Sequence, residues 1–213
     1  MAKKLIYFVR HGETILNAQN IRQGSGGSLS EKGRAQAEAT AKRFPKGKGR
    51  PQVIFSSPYE RTRETADIIA HELHMKVKYS ELLTERRNPS EIVGHSGGEK
   101  EVKEIVSKID GGFHEDDLRY SDEENFVDLK KRAKKLLRFI KWKGEKRILM
   151  VTHGIFLKMV AAYMIHGENL TASEYNKLSY FNPINNAGIT ICEYIPHWFK
   201  KDEWKILVWN DNL

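Results

Sequence analysis

The sequence predicts an α/β protein, a three-layer α/β/α sandwich whose mostly parallel sheet carries helices on both faces. Two patterns indicate this class. Short apolar runs rich in β-branched and aromatic residues recur along the chain, and segments with helical periodicity separate them. Runs that are apolar throughout are typical of parallel sheets, which are covered on both faces. The chain shows no internal repeat, so residues 1–213 are expected to form one domain.

Six strands are expected, and most have a recognisable end. The first ends in Arg10-His11, Pro58 ends the second, and the fourth ends in His153-Gly154. The last two strands form a pair joined by a turn through Pro196. The expected strands cover residues 5–9, 52–57, 77–83, 147–152, 187–194 and 204–209.

Helices are expected between these strands. Ser30 is predicted to cap the first of them, although Gly33 falls in its first turn. The remaining helices are expected at 59–74, about 98–109, 122–142 and 155–165. Residues 88–121 form the least regular segment, and we expect an insertion at about 86–121 over the active site.

Composition narrows the class of protein. Charged residues make up 30% of the chain and hydrophobic residues 39%, as in a soluble globular protein. No apolar run reaches the roughly 20 residues that a membrane span needs, so no membrane partner is expected. The apolar run near the N-terminus is followed directly by charged residues, which is not typical of a signal peptide. A single cysteine, Cys192, excludes an intramolecular disulfide and favours a reducing, cytoplasmic location.

The chain is basic, with 36 Lys and Arg against 28 Asp and Glu and a formal net charge of +8. Such an excess favours anionic partners, either nucleic acid or phosphorylated metabolites. Much of it lies in lysine-rich runs at 42–50 and 130–147, which are typical of solvated faces. Net charge alone therefore does not identify the partner.

Three separate segments place basic groups where one phosphate could meet them. Arg10 and His11 follow the first strand, Arg61 lies in the helix after the second, and His153 follows the fourth. The carboxyl ends of parallel strands are where α/β sheets bind ligands. The helix after Gly154 would direct its N-terminus at the same anion.

The motifs around these residues resemble those of the histidine phosphatase (phosphoglycerate mutase-like) superfamily. They are R-H-G-E-T at 10–14 with Asn17, S-S-P-x-x-R-T-x-x-T-A at 56–66 and V-T-H-G at 151–154. The chain departs from the family pattern at 26–28, where Gly-Gly-Ser replaces the usual Asp and Pro before Leu-Ser. The resemblance implies a metal-independent phosphatase without a cofactor, which hydrolyses a small phosphomonoester through a phosphohistidine.

The resemblance also implies residue roles. His11 would be the nucleophile, kept neutral by the surrounding cations. Arg10, Arg61 and His153 would hold the phosphoryl oxygens and neutralise the charge of the transferring group. The implied substrate-binding positions are Asn17, Gln23 and Gly154.

Glu85, after the third predicted strand, stands where the family supplies a carboxylic acid to protonate the leaving oxygen. The alternative is a surface carboxylate paired with Arg86 or Arg87. The remaining histidines share no ligand spacing, so a metal site is not expected.

Two other functions remain open. A mutase would return the phosphoryl group to a second hydroxyl, but mutases of this family tend to be longer, with a tail over the site. A catalytically silent protein on this fold could bind a phosphoprotein or nucleic acid. Nucleic acid is the less expected partner, because the spacing of Phe139 and Trp142 suits core packing better than base stacking.

Overall fold

A mixed six-stranded sheet runs through the computed structural model, which describes residues 2–111 and 115–212. In chain order the strands are β1 (Lys4–Arg10), β2 (Val53–Ser56), β3 (Val77–Tyr79), β4 (Arg147–Thr152), β5 (Ile189–Ile195) and β6 (Glu203–Asp211). Across the sheet they are ordered β3-β2-β4-β1-β5-β6. The pairs among β1 to β4 are parallel, whereas β5 and β6 are antiparallel to their neighbours. The mostly parallel sheet expected from the sequence is confirmed.

Seven α-helices accompany this sheet in the described part of the chain. They are α1 (Ile15–Ala18), α2 (Glu31–Lys42), α3 (Glu60–Glu72), α4 (Lys100–Gly111), α5 (Phe126–Trp142), α6 (Gly154–His166) and α7 (Ala172–Phe181). None of the described helices combines the length and the apolar character needed to cross a membrane.

The helices cover both faces of the sheet, because alternate residues of each strand point to opposite sides. Ile6 and Phe8 of β1 join a cluster with the apolar faces of α5 and α6, which we call the first core. Tyr7 and Val9 join a second core with α2 and α3. The predicted three-layer sandwich is therefore confirmed.

The register between β1 and β4 brings distant parts of the chain together. Leu5 pairs with Arg147 and Arg10 pairs with Thr152, so His11 and His153 follow side by side. On the other side of β4, Ser56 of β2 pairs with Val151. The carboxyl ends of these three strands thus meet at one edge of the sheet.

Several element boundaries differ from the prediction. The strand predicted over 77–83 ends at Tyr79, because the Ser80 hydroxyl accepts the Leu82 N–H and caps a 3₁₀ turn over Glu81–Leu83. The helix predicted from residue 122 begins at Phe126, because Asn125 caps it by accepting the Asp128 N–H. Helices α1 and α7 were not predicted.

Residues 86–121 contain α4 and a 3₁₀ turn over Ser90–Ile92, whereas 112–114 lie outside the described residues. The segment runs alongside the loop after α1. Arg22 donates its N–H to the carbonyl of His95 at 2.9 Å, and Gly94 donates to the carbonyl of Arg22 at 2.8 Å. The Gly97 N–H donates to the Asn20 carbonyl at 2.7 Å. This contact joins 86–121 to the strand-end region around His11.

Candidate active site

A cavity of about 330 Å³ opens where β1 and β4 end. Seven of the eight residues predicted for the site line it, and His153 does not. The seven are Arg10, His11, Asn17, Gln23, Arg61, Glu85 and Gly154.

His11 is held rigidly at the end of β1. Its backbone N–H donates to the Thr152 carbonyl at 3.0 Å, and its own carbonyl accepts from the Asn186 amide at 3.1 Å. The ring Nδ1 lies 2.7 Å from the Gly12 carbonyl oxygen. Because a carbonyl only accepts, Nδ1 carries the hydrogen and Nε2 keeps a free lone pair. The geometry thus selects the tautomer that a nucleophilic imidazole needs.

The electrostatic setting of His11 favours the neutral ring. The pKa of His11 lies well below 6.5. Loss of hydration is the largest cause, and the charges of Arg10 and Arg61 lower the pKa further. From the sequence, the surrounding cations alone were expected to keep the ring neutral. Burial, with only 4% of the residue exposed, contributes more.

Arg10 offers an unsatisfied donor at this site. Its Nη1 donates to the Ile184 carbonyl, which fixes the direction of the side chain. Its Nε is buried and has no hydrogen-bond partner among the described residues. A buried donor left without a partner is costly, and an anion oxygen would remove that cost.

Arg61 lies in the first turn of α3 and is tied to the glycine-rich loop. Its Nη1 donates to the carbonyls of Gly24 and Gly26 at 2.9 and 3.0 Å. The neighbouring Glu60 accepts from the Gly27 N–H at 3.0 Å and from the Ser28 hydroxyl. The loop that departs from the family pattern is therefore anchored by the start of α3.

His153 lies behind the cavity wall and is fully buried, with its ring centroid 5.2 Å from that of His11. Its Nδ1 accepts from Nε of Arg61 at 3.3 Å, so its Nε2 carries the hydrogen and faces the Ser57 hydroxyl at 2.9 Å. Burial, followed by the charge of Arg61, places its pKa well below 6.5. Both ring nitrogens thus have protein partners, and a bond from Nε2 to a phosphoryl oxygen would replace the contact with Ser57.

Glu85 caps the N-terminus of α6. Its carboxylate accepts the N–H groups of Ile155 at 3.2 Å and Phe156 at 3.0 Å, and that of Arg86 at 2.9 Å. His153 occupies the N-cap position but makes no side-chain cap hydrogen bond. The helix N-terminus expected to face the anion thus meets the carboxylate of Glu85, which these bonds hold at the cavity.

Asn17 and Gln23 also line the cavity. The Asn17 Oδ1 accepts the Thr14 N–H at 3.3 Å in a capping box, which leaves its amide nitrogen as the donor available to a ligand. The Gln23 Oε1 is buried without a hydrogen-bond partner among the described residues. Both amides are therefore available for polar contacts in the cavity.

Two cations that the sequence analysis missed also line the cavity, Arg22 and Lys158. The Arg22 Nε is buried without a partner in the described part of the chain, and the Lys158 Nζ donates to the Ser179 carbonyl at 2.7 Å. Burial is the largest cause of a lowered Lys158 pKa. Lys158 lies one turn beyond Gly154 on α6, so helical periodicity could have located it. Arg22 lies in a loop without a periodic pattern.

Within residues 2–111 and 115–212, no group of three or more His, Cys, Asp or Glu side chains is arranged to hold a metal ion.

Comparison with known proteins gives three results. A model of the histidine phosphatase superfamily (branch 1) matches residues 6–212. A metal-independent phosphoserine phosphatase from Arabidopsis thaliana is 33% identical in an alignment of 213 positions, which covers 97% of this chain and 81% of that protein. Phosphoglycerate mutase-like protein 4 from the same plant is 30% identical, covering 97% of this chain and 84% of its own.

A solved structure adds a comparison of folds. A mutant phosphoserine phosphatase from Entamoeba histolytica, in complex with phosphoserine, superimposes with a TM-score of 0.73 at 25% identity. The match covers 97% of this chain and 96% of that one.

Proposed function

This chain belongs to the histidine phosphatase superfamily, and on that premise we propose that it hydrolyses a small phosphomonoester through a phosphohistidine, without a metal or cofactor. The observation that carries the proposal is the state of His11. It is a buried, neutral imidazole whose Nε2 lone pair is free, and it lines a cavity together with Arg10 and Arg61. Such a ring is suited to nucleophilic attack on phosphorus.

The reaction has two displacement steps. In the first, Nε2 of His11 forms a bond to phosphorus while the ester P–O bond breaks, and the alcohol leaves with one proton. In the second, water attacks the phosphohistidine, the P–N bond breaks, and inorganic phosphate leaves. The free Nε of Arg10 and the guanidinium of Arg61 hold the equatorial oxygens, where charge accumulates.

In this proposal His153 donates a hydrogen bond to one of the same phosphoryl oxygens. Its Nε2–H exchanges the Ser57 hydroxyl for a phosphoryl oxygen when substrate is bound. The bond from Arg61 to Nδ1 keeps the ring in the tautomer that can donate from Nε2.

Glu85 supplies the proton to the leaving oxygen and removes one from water in the second step. Its position supports this role, because it lines the cavity and three backbone N–H groups hold it there.

The substrate carries a second anionic group in this proposal. Arg10, Arg61 and His11 are enough for one phosphoryl group, yet Arg22 and Lys158 add two further cations, and among the described residues Glu85 is the one carboxylate in the lining. Phosphoserine, with its carboxylate, belongs to this class and is the substrate after which one relative is named. We expect a higher kcat/KM for phosphoserine than for phosphoethanolamine, which lacks the carboxylate.

The proposed location is the cytoplasm. Cys192 is buried, and burial raises the pKa of its thiol to about 12, so it is a packing residue compatible with a reducing compartment.

Rapid-quench mixing with a radiolabelled phosphate ester tests the mechanism. An acid-labile, base-stable phosphoenzyme is expected in the native protein and in a His71→Ala control, whose histidine is exposed on α3. His11→Ala is expected to remove it. Label on Ser, Asp or Cys192, or label that persists in His11→Ala, would contradict the proposal.

The fate of the phosphoryl group separates a phosphatase from a mutase. With a phosphoglycerate as substrate, inorganic phosphate is the expected product, and transfer to the second hydroxyl would identify a mutase. Turnover is expected to survive a chelator. Activity that is lost in the chelator and restored by a divalent ion would contradict metal independence.

A further inference from the structure

The edge of the sheet opposite the cavity carries its own set of loops. Because β1 to β4 are parallel, the loops that enter them lie at the edge farthest from the strand ends that form the cavity. The β5–β6 hairpin turns at this same edge, since Lys4 pairs with Tyr194 and Tyr194 pairs with Trp204. We call the loops 43–52, 74–76, 143–146 and 196–202 together the amino edge.

Hydrogen bonds and an ion pair join most of these loops into one surface. Nε of Arg147 donates to the Arg50 carbonyl at 2.7 Å, and the Lys146 N–H donates to Gln52 Oε1 at 2.7 Å. Nζ of Lys141, near the end of α5, lies 2.9 Å from the carboxylate of Asp202 in the hairpin. The hairpin is thereby held against α5.

Large apolar side chains stand out from this surface. Trp198 and Phe199 at the hairpin tip are 90% and 104% exposed. Trp142 at the end of α5 and Ile165 near the end of α6 are 71% and 58% exposed. A cleft of about 460 Å³ is lined by Trp142 and Ile165 together with Lys201 of the hairpin, so these two apolar side chains lie beside the hairpin.

The amino edge is also strongly basic. Its loops contain nine Lys and Arg residues and two carboxylates, Glu145 and Asp202. Carboxylates outside the loops pair with two of the nine cations, Asp211 with Arg43 and Glu72 with Lys46. Asp202 is already bound by Lys141, the Tyr194 hydroxyl and the His197 N–H. The exposed lysines are Lys46, Lys48, Lys76, Lys146, Lys200 and Lys201.

We propose that the amino edge docks on an anionic lipid bilayer, with Trp198 and Phe199 in the interfacial layer and the lysines against the headgroups. Tryptophan is enriched at membrane interfaces, and basic residues beside an inserted apolar group add electrostatic attraction to acidic lipids. Two side chains at the tip of a hairpin enter a fluid phase readily, whereas a folded partner would need a matching hollow.

The geometry leaves the cavity free when the protein is docked. The seven residues of β1 separate the two edges by about 20 Å. The sequence-based expectation of no membrane partner rested on the absence of a membrane span. A peripheral contact of this kind needs no such span. Bound enzyme is therefore expected to turn over a soluble substrate.

Vesicle sedimentation tests the proposal. The full chain is mixed with vesicles of phosphatidylcholine alone or of phosphatidylcholine with phosphatidylserine, and the pelleted fraction is measured at low and high salt. Binding to the phosphatidylserine vesicles that weakens with salt is expected, with phosphatase activity recovered in the pellet.

Paired variants separate the two contributions. The double variant Trp198→Ala/Phe199→Ala is expected to weaken partitioning by about tenfold or more. Tyr180→Ala, which removes an exposed aromatic ring from α7, is the matched control and is expected to bind as the native protein does. Lys200→Glu/Lys201→Glu is expected to abolish the preference for phosphatidylserine, whereas Lys100→Glu/Lys103→Glu at the start of α4 is expected to retain it.

Two results would overturn the proposal. One is that the fraction of protein in the pellet does not depend on phosphatidylserine. The other is equal pelleting of the tip variants and their controls, with circular dichroism showing that all are folded. Tip-dependent binding of a single-stranded oligonucleotide without vesicle binding would assign the surface to nucleic acid instead.

Discussion

Two neighbouring side chains, His11 and His153, link protonation to stability at the residue scale. Both are buried, and the pKa of each is lowered well below 6.5 in the folded chain. The unfolded chain therefore takes up protons that the native state does not as the pH falls below about 6.5. Their contribution to stability is complete above that pH and is lost as the pH falls toward the folded pKa values.

Urea unfolding measured between pH 7.5 and pH 5.5 tests this linkage. The free energy of unfolding is expected to fall with a slope approaching about 2.7 kcal/mol per pH unit, the value for two protons. His153→Asn should reduce the slope by about half. The exposed His71→Asn is the control and should leave it unchanged. A slope that His153→Asn does not alter would exclude this histidine as a source.

Glu85 can be tested by the basicity of the leaving group. An alkyl alcohol needs a proton as it leaves, whereas p-nitrophenolate leaves readily without one. Glu85→Gln is therefore expected to slow alkyl phosphates by about 10²–10⁴-fold and p-nitrophenyl phosphate far less. Because Glu85 also caps α6, the variant is expected to lose about 0.5–2 kcal/mol of stability.

The control for this variant is Glu91→Gln, which changes an exposed carboxylate of the following segment. It is expected to affect neither substrate. Equal losses on alkyl and p-nitrophenyl phosphates in Glu85→Gln would assign Glu85 a structural role and place the acid elsewhere.

Sequence reasoning located seven of the fourteen residues that line the cavity, because the chemistry depends on residue type at fixed spacing. Arg10, His11 and Arg61 could be placed in this way. The partners of His153 could not, because Ser57 and Arg61 reach it only through the pairing of β2 with β4. Likewise, no sequence pattern indicates that Glu85, which is distant from α6 in the chain, caps that helix.

At the scale of elements, Gly33 connects α2 to the loop that follows β1. A Cβ at Gly33 would overlap the backbone of Glu13, and one at Gly12 would overlap the Gly33 carbonyl. This close contact explains a glycine in the first turn of a helix, where its intrinsic propensity is poor. It also fixes the chain immediately after His11.

Gly33→Ala is expected to lower stability by about 1–3 kcal/mol and to reduce kcat, because the added methyl group displaces the loop that carries His11. Alanine is the better helix former by about 1 kcal/mol, so a loss of stability reports the overlap. Gly144→Ala, with nothing within 4 Å of the added Cβ, is the control. Equal urea midpoints and equal kcat in both variants would refute the close contact.

Elements with strong periodicity were predicted well, and those set by local capping were not. Strand β4 has the predicted bounds, and α6 differs from its predicted range by one residue at each end. Helix α7 depends on a capping box between Thr171 and Glu174, and its weakly patterned residues gave little signal. Side-chain caps likewise decided where β3 ended and α5 began.

At the scale of the molecule, we propose that residues 1–213 fold as one domain. The two cores lie on opposite faces of a single sheet, so β1 contributes to both. Leu136→Ala in the first core and Ile69→Ala in the second are each expected to cost about 2–5 kcal/mol and to shift one common transition. Tryptophan fluorescence and far-ultraviolet circular dichroism should give the same midpoint. Separate transitions in either variant would indicate two folding units.

The strand order also has a consequence for synthesis on the ribosome. Strand β4 lies between β1 and β2, so neither of them can complete its place in the sheet until residues 147–152 have been made. At typical elongation rates the stretch from Arg10 to His153 takes roughly 7 to 30 seconds to translate. During that interval β1 is an apolar segment without its parallel neighbour, a state in which aggregation competes with folding. A message truncated before β4 yields a polypeptide that holds His11 but cannot bring His153 beside it.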